Sequence, residues 1–310
     1  MSSGNFLFYL LILLGPLVAM SSSRWLICWV GIELRFLGVI PILLSRENLR
    51  LRKEATIKYF CIQALGRGLL LCGGLFYFGL SLDIGVVSEI FFALRLIIKL
   101  GVFPAHFWVP RVVSGLNWFP IFIILTWQKI PPFLFLSLIA SGRDWVCDLL
   151  LLLGGARALV GGFIGLNQRK LRVILGASSI SHRGWVVIGT VYGSLWFYFI
   201  IYCFSLFVLI YFLNQKDYFF SGLCIISLRG LPPFIIFLGK WSVLKCALGL
   251  GYSYWFLLLP LLGSLIRLFF YLKFFYSFYL EEDLVGLKKL INFRFGGILL
   301  FIGVIYISFF

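Results

Sequence analysis

The chain has 310 residues, of which 62% are hydrophobic and only 12% charged, with a net charge of +16 and a mean hydropathy of +1.06. A soluble domain of this size has too little interior to hide so much apolar surface, so lipid must be the solvent for most of the chain. Alternating ten-residue strands are absent, which removes a transmembrane barrel and leaves an all-α, polytopic membrane helical bundle.

Apolar runs long enough to span lie at about 3–20, 24–44, 55–78, 84–108, 116–140, 146–166, 171–191, 194–213, 219–250, 254–276 and 296–310. That predicts about 11 transmembrane helices, the last one short. The first run, "NFLFYLLILLGPLVAM", lacks the basic leader and small-residue cleavage site of a signal peptide and reads as the first spanning helix. Basic residues between helices crowd onto one side: Arg46, Arg50, Arg52, Lys53, Arg111, Arg169, Lys170, Lys216, Lys288, Lys289 and Arg294, with Arg172 at the edge and only Arg24 and Arg143 opposite. The positive-inside rule then puts the amino terminus on the negative side of the membrane. Loop cations of this kind account for about half of the net charge, and anionic headgroups are their nearest counter-ions. The bilayer is thus a partner, and no soluble basic face is left for nucleic acid.

The seven cysteines lie in or beside apolar runs, no two spaced as CxxC, and there are only two histidines. No zinc site, iron–sulfur site or glycine-rich nucleotide loop is legible, so the chain is expected to bind no cofactor or metal of its own.

Helix breakers mark two places inside the membrane. The fourth helix is interrupted at "KLGVFPAHFW", with Gly101 and Pro104, and the ninth at "SLRGLPPFIIFLGKW", with Gly230, Pro232 and Pro233. Each is the fourth member of a five-helix block, and each has a lysine beside its break. Five is odd, so the second block enters the membrane inverted relative to the first, which is the pattern of an inverted-repeat transporter. The expected divisions are 1–140 and 141–278 for the repeats and 279–310 for a basic loop and last helix.

Four ionisable residues fall near mid-membrane: Glu33, Lys99, Lys129 and Lys240. A charge at a helix centre costs roughly 2.5–3.5 kcal/mol, so such side chains face a partner or a hydrated cavity. Snorkelling suits Lys58 and Lys273, nearer helix ends, but not Lys129. Proline frees carbonyls that cannot face lipid, so each break marks a polar spot inside the bundle. A lysine there trades its proton as a carboxylate comes and goes, and a mobile Glu33–Lys99 pair would set that exchange. At ~2.3 kcal/mol per 100 mV, one charge moved against an assumed ~180 mV costs about 4 kcal/mol, the order of one poorly solvated ion pair. His182, amid Ser178, Ser179 and Ser181, is placed either to carry protons between Lys129 and Lys240 or to serve as a hydrogen-bonded structural histidine; His106 reads as structural.

At these residues the chain resembles the chain 2 family of mitochondrial NADH–ubiquinone oxidoreductase, antiporter-like membrane subunits of respiratory complex I. The stretches that carry the resemblance are "GIEL" (31–34), "EATIKYFCIQALG" (54–66), "KLGVFPAHFWVPRVVSGL" (99–116), "LTWQKIPP" (125–132), "GLNQRKLRVILGASSISHRGW" (165–185), "SLRGLPPF" (227–234) and "GKW" (239–241). The resemblance implies that Glu33 and Lys99 form a coupling ion pair, Lys129 a central relay and Lys240 a distal relay. It implies an eleven-helix form of a fourteen-helix subunit, in the mitochondrial inner membrane with its amino terminus in the matrix. NADH, FMN, iron–sulfur clusters and ubiquinone would be handled elsewhere in the complex, whose other membrane subunits would be its partners.

The chain departs from the family pattern at Arg35, Arg67, Arg95, Arg157, Arg183 and Arg229, where small, polar uncharged or apolar residues are usual, and at Arg111, which replaces a usual acid. Either some of the six line water or pair across subunits, or several are codons that some mitochondria read as glycine or serine. Two other functions compete with redox-driven proton translocation: a cation/proton antiporter of the same ancestry, and a passive structural membrane subunit.

Overall fold

The computed structural model describes residues 3–44, 50–78, 96, 98–101, 105–141, 144–250 and 255–282, and these are helical with no strand among them. The predicted spans at 84–108 (in large part) and 296–310, together with Pro104, Arg46, Arg95, Arg143, Lys288, Lys289 and Arg294, lie outside the described residues. Among the described residues five helices are long and apolar enough to cross a membrane: Trp25–Leu44, Trp118–Ala140, Asp144–Leu166, Leu195–Gln215 and Trp255–Leu280. The protein is therefore a multi-pass helical membrane protein. Two compact units divide the chain, 1–146 and 147–310.

In the first unit, α1 (Ser3–Ser21), α2 (Trp25–Leu44) and α3 (Arg50–Phe78) pack in sequence order. Small residues bring α1 and α2 together. A Cβ at Gly31 would lie 2.6 Å from the Ala19 nitrogen and 2.8 Å from the Gly15 carbonyl. Lipid tails are as apolar as leucine, so such close backbone approach, and not hydrophobic segregation, binds membrane helices. Then follow α4 (Trp108–Ser114), packed on α3, and α5 (Trp118–Leu125). A 3-10 turn, Trp127–Lys129, leads into α6 (Ile130–Ala140).

The second unit holds most of α7 (Asp144–Leu166), then α8 (Leu171–Tyr192), α9 (Leu195–Gln215), α10 (Tyr218–Ser227), α11 (Ile235–Leu250) and α12 (Trp255–Glu282). Helix α8 is the most polar of these in its middle, yet residues 174–190 are buried without interruption. It packs against α9, α11 and α12, and against α7 through Gly154, Gly161 and Gly184. Its serines, histidine and arginine thus face protein. Polar groups in a membrane helix are tolerated on such an inward face.

The run at 219–250 is interrupted where expected, α10 and α11 being separated by residues 228–234 at the proline pair. One expectation changes in detail. The run at 116–140 is interrupted as well, by the 3-10 turn at Lys129, which hydropathy alone does not show. Pro131 and Pro132 have no N–H to return to the carbonyls of Trp127 and Gln128, so the ordinary helical ladder lapses there.

Candidate functional site

The two helix breaks share one backbone device. Gly101 and Gly230 adopt φ of 68° and 69°, and each donates its N–H to the carbonyl three residues back, Ile98 and Ser227, at 3.1 Å. A left-handed glycine of this kind ends a helix without the steric cost a Cβ would bring. Beyond it, carbonyls of the last turn lose their helical donors. In hydrocarbon each unsatisfied group costs several kcal/mol, so it must find a partner in the protein.

Buried cations supply the partners. Lys129 Nζ donates to the Lys99 carbonyl at 2.9 Å, and Lys240 Nζ donates to the Arg229 carbonyl at 2.6 Å, the group that Pro233 leaves without a helical donor. Arg35 donates from a terminal nitrogen to the Gln128 carbonyl, at 2.7 Å, orphaned in the same way by Pro132. Each lysine also sits over a buried indole, Lys129 4.9 Å from the Trp108 ring and Lys240 5.9 Å from Trp185. Charge-assisted bonds to carbonyls, at about 1.5–3 kcal/mol each, and the ring faces offset part of the burial cost.

Within the first unit the structure brings Lys99 and Lys129 together and holds Glu33 apart in its bonding. The Glu33 carboxylate is paired with Arg67, one oxygen accepting from a terminal guanidinium nitrogen. Lys99 is 3% exposed, and its Nζ has no hydrogen-bond partner among the described residues. In this structure Glu33 is bonded to Arg67 and acts on Lys99 through its charge, without a hydrogen bond between them. Tyr59 donates its hydroxyl to the Gln128 side-chain oxygen, tying α3 to the turn that positions Lys129.

Within the second unit, His182 is wholly buried on α8. Its Nδ1 lies 2.9 Å from the Tyr198 hydroxyl and its Nε2 3.2 Å from a terminal nitrogen of Arg267. A guanidinium only donates, so Nε2 accepts and the ring proton of the neutral imidazole sits on Nδ1, donating to Tyr198. Of the helix-break residues, Gly230, Pro232 and Pro233 shape the loop below Lys240, and Gly101 shapes the turn after Lys99. His106 is buried with its ring 4.0 Å from Phe107. Lys58 is exposed and paired with Glu54, in keeping with an interfacial lysine.

The sequence reading missed Tyr59, Gln128, Trp108, Trp185, Tyr198 and Arg267. Arg267 was detectable: it is a cation deep in the apolar run "LLGSLIRLFFYL", the criterion that selected Lys129. The aromatic partners carry no signal of their own in a chain with 35 phenylalanines and 10 tryptophans. Among the described residues Arg157 donates to the Ile180 carbonyl and Arg183 to the Ser179 carbonyl, whereas Arg229 reaches the Leu268 carbonyl at 3.4 Å and its Nε is buried without a hydrogen-bond partner there.

Long apolar helices broken by glycine and proline, with cations seated on the exposed carbonyls, define a polytopic membrane protein with a polar interior. The transmembrane family of NADH:quinone oxidoreductase and Mrp antiporter subunits matches residues 22–218. NADH-ubiquinone oxidoreductase chain 2 of Albinaria caerulea is 34% identical over 296 residues, which cover 93% of this chain and 96% of that protein. Chain 2 of Branchiostoma floridae is 37% identical, over 86% of this chain and 83% of its own. A chain in the structure of respiratory complex I from Thermus thermophilus with bound aureothin superposes with a TM-score of 0.75 at 26% identity, covering 88% of this chain and 70% of that one. A chain of the Mrp complex from Dietzia sp. DQ12-45-1b shares the fold, with a TM-score of 0.78 at 18% identity over 86% of this chain and 59% of that one. This chain belongs to the NADH:quinone oxidoreductase/Mrp antiporter transmembrane family, and its relatives there are the NADH-ubiquinone oxidoreductase chain 2 proteins.

Proposed function

We propose that this chain is a proton-translocating membrane-arm subunit of NADH:ubiquinone oxidoreductase in the mitochondrial inner membrane. Lys99, Lys129 and Lys240 pass the proton, Glu33 sets when Lys99 releases it, and His182 links the halves of the path. Other membrane subunits of the complex adjoin it. NADH, FMN, iron–sulfur clusters and ubiquinone act elsewhere in the assembly, and their redox chemistry drives the exchange. The amino terminus faces the matrix, and the halves of the chain are inverted repeats. One observation carries this reading: lysine side chains donate to carbonyls beside two breaks that share a left-handed glycine turn. A lysine held by a neutral dipole gives up its proton and keeps its place, which a lysine fixed by a carboxylate does not do without losing its counter-ion.

Substitution of the central lysine tests it. In assembled complex, Lys129→Met is expected to abolish proton pumping driven by NADH oxidation, leaving subunit content unchanged. Full pumping in that variant would sink the relay and favour a passive structural subunit. A sodium gradient formed in place of a proton gradient would favour a cation/proton antiporter.

A further inference from the structure

Glu33 is met on α3 by a cation, Arg67. Glu33 and Phe36 stand three residues apart on α2, so they share a face. Arg67 of α3 engages both. It pairs with the Glu33 carboxylate, its Cζ lies 3.6 Å from the Phe36 ring centre, and its Nε donates to the Gln63 carbonyl at 3.3 Å. These contacts fix the guanidinium plane. The other Glu33 oxygen and the Lys99 ammonium are both buried and without a hydrogen-bond partner among the described residues. Arg35, Arg67 and Glu33 are the charged side chains that act on Lys99, and Lys129 donates to its carbonyl; Tyr59 adds a neutral hydroxyl nearby. Arg67 and Lys99 therefore both lie within reach of the charge of one carboxylate.

We infer that Arg67 is a positioning residue that competes with Lys99 for the Glu33 carboxylate and holds it away from Lys99 in one half of the exchange. The inference rests on the relay reading above. Arginine suits the role because it does not lose its proton, so the carboxylate alternates between a fixed charge and a titrating one. With the carboxylate on Arg67, Lys99 is left among like charges; once Lys129 has released its own proton onward, its free amine accepts the proton from Lys99. When the carboxylate swings to Lys99, that lysine takes up the next proton from the entry side. Only N–H bonds are made and broken.

The test is the pH dependence of NADH-driven pumping in assembled complex. Arg67→Met leaves Glu33 on Lys99, so the acid limb of the profile is expected to move up by about one pH unit, a roughly tenfold loss at its acid edge with alkaline pumping kept. Arg67→Lys keeps the charge but not the planar fork over Phe36, and should move the limb part of the way. If the methionine variant does not assemble, the lysine variant decides alone. An unchanged profile, or a loss equal at every pH, overturns the inference. So does a peptide mass showing a residue other than arginine at position 67. Lys129→Met in the same preparation separates the two claims. If it pumps normally, the relay itself fails; if it is silent while Arg67 variants keep the wild-type profile, only the role of Arg67 fails.

Discussion

Gln128 concentrates the residue-scale logic of the first unit. Its backbone carbonyl, freed by Pro132, accepts from Arg35, and its side-chain oxygen accepts from Tyr59. Lys129 follows it directly, so every restraint on Gln128 restrains the lysine. Tyr59 also stacks with Phe36, centroids 6.0 Å apart, and tilts against Trp108 at 6.3 Å. Tyr59→Phe keeps these ring contacts and removes one donor from a buried amide oxygen, which should cost about 1–3 kcal/mol. The expected result is an earlier thermal inactivation of pumping in the variant complex, with wild-type activity at low temperature. Thermal inactivation at the wild-type temperature would show that Gln128 does not depend on this bond. None of this was visible from residue types, because a tyrosine on one helix and a glutamine on another meet only in the folded unit.

At the scale of elements, glycine and proline made the breaks legible in advance. Their backbone restrictions are intrinsic, so "LRGLPPF" announces an interruption whatever packs around it. The turn at 127–129 has the same signal, a proline pair, yet the surrounding run is apolar enough to read as one span. Hydropathy measures solvent preference and is blind to a lapse in hydrogen bonding. Partners across helices were less legible still: the bond from Glu33 to Arg67 depends on which faces of α2 and α3 meet, which residue types alone do not show. The break in the second unit gives a direct test of the carbonyl device. A Cβ at Gly230 would lie 2.9 Å from both Cε and Nζ of Lys240, and would also occupy a left-handed backbone. Gly230→Ala is expected to push the ammonium off the Arg229 carbonyl and cut pumping severalfold, at a backbone cost of about 1–2 kcal/mol. At Gly101 the same change meets the Trp108 indole at 3.1 Å, disturbing the ring under Lys129 and not a lysine itself. Its effect on pumping should be the smaller of the two, measured in parallel preparations. Equal effects would mean that strain, and not the seat of the lysine, is what matters.

At the scale of the whole molecule, the two units hold separate cation-on-carbonyl sites, Lys129 in one and Lys240 in the other. If the proposed path runs through both, they act in series. A chain of transfers is as slow as its worst step, so blocking it twice is no worse than blocking it once. Two independent structural sites would behave differently, because distant substitutions without shared partners add their free-energy effects. The decisive comparison is Lys129→Met, Lys240→Met and the double variant, each scored as protons pumped per NADH oxidised in complex of verified subunit content. Serial transfer predicts three equally low ratios. Independent contributions predict partial losses whose free energies sum in the double variant. A double variant lower than either single one would therefore break the proposal of one continuous path, and it would do so even if each lysine alone proved necessary.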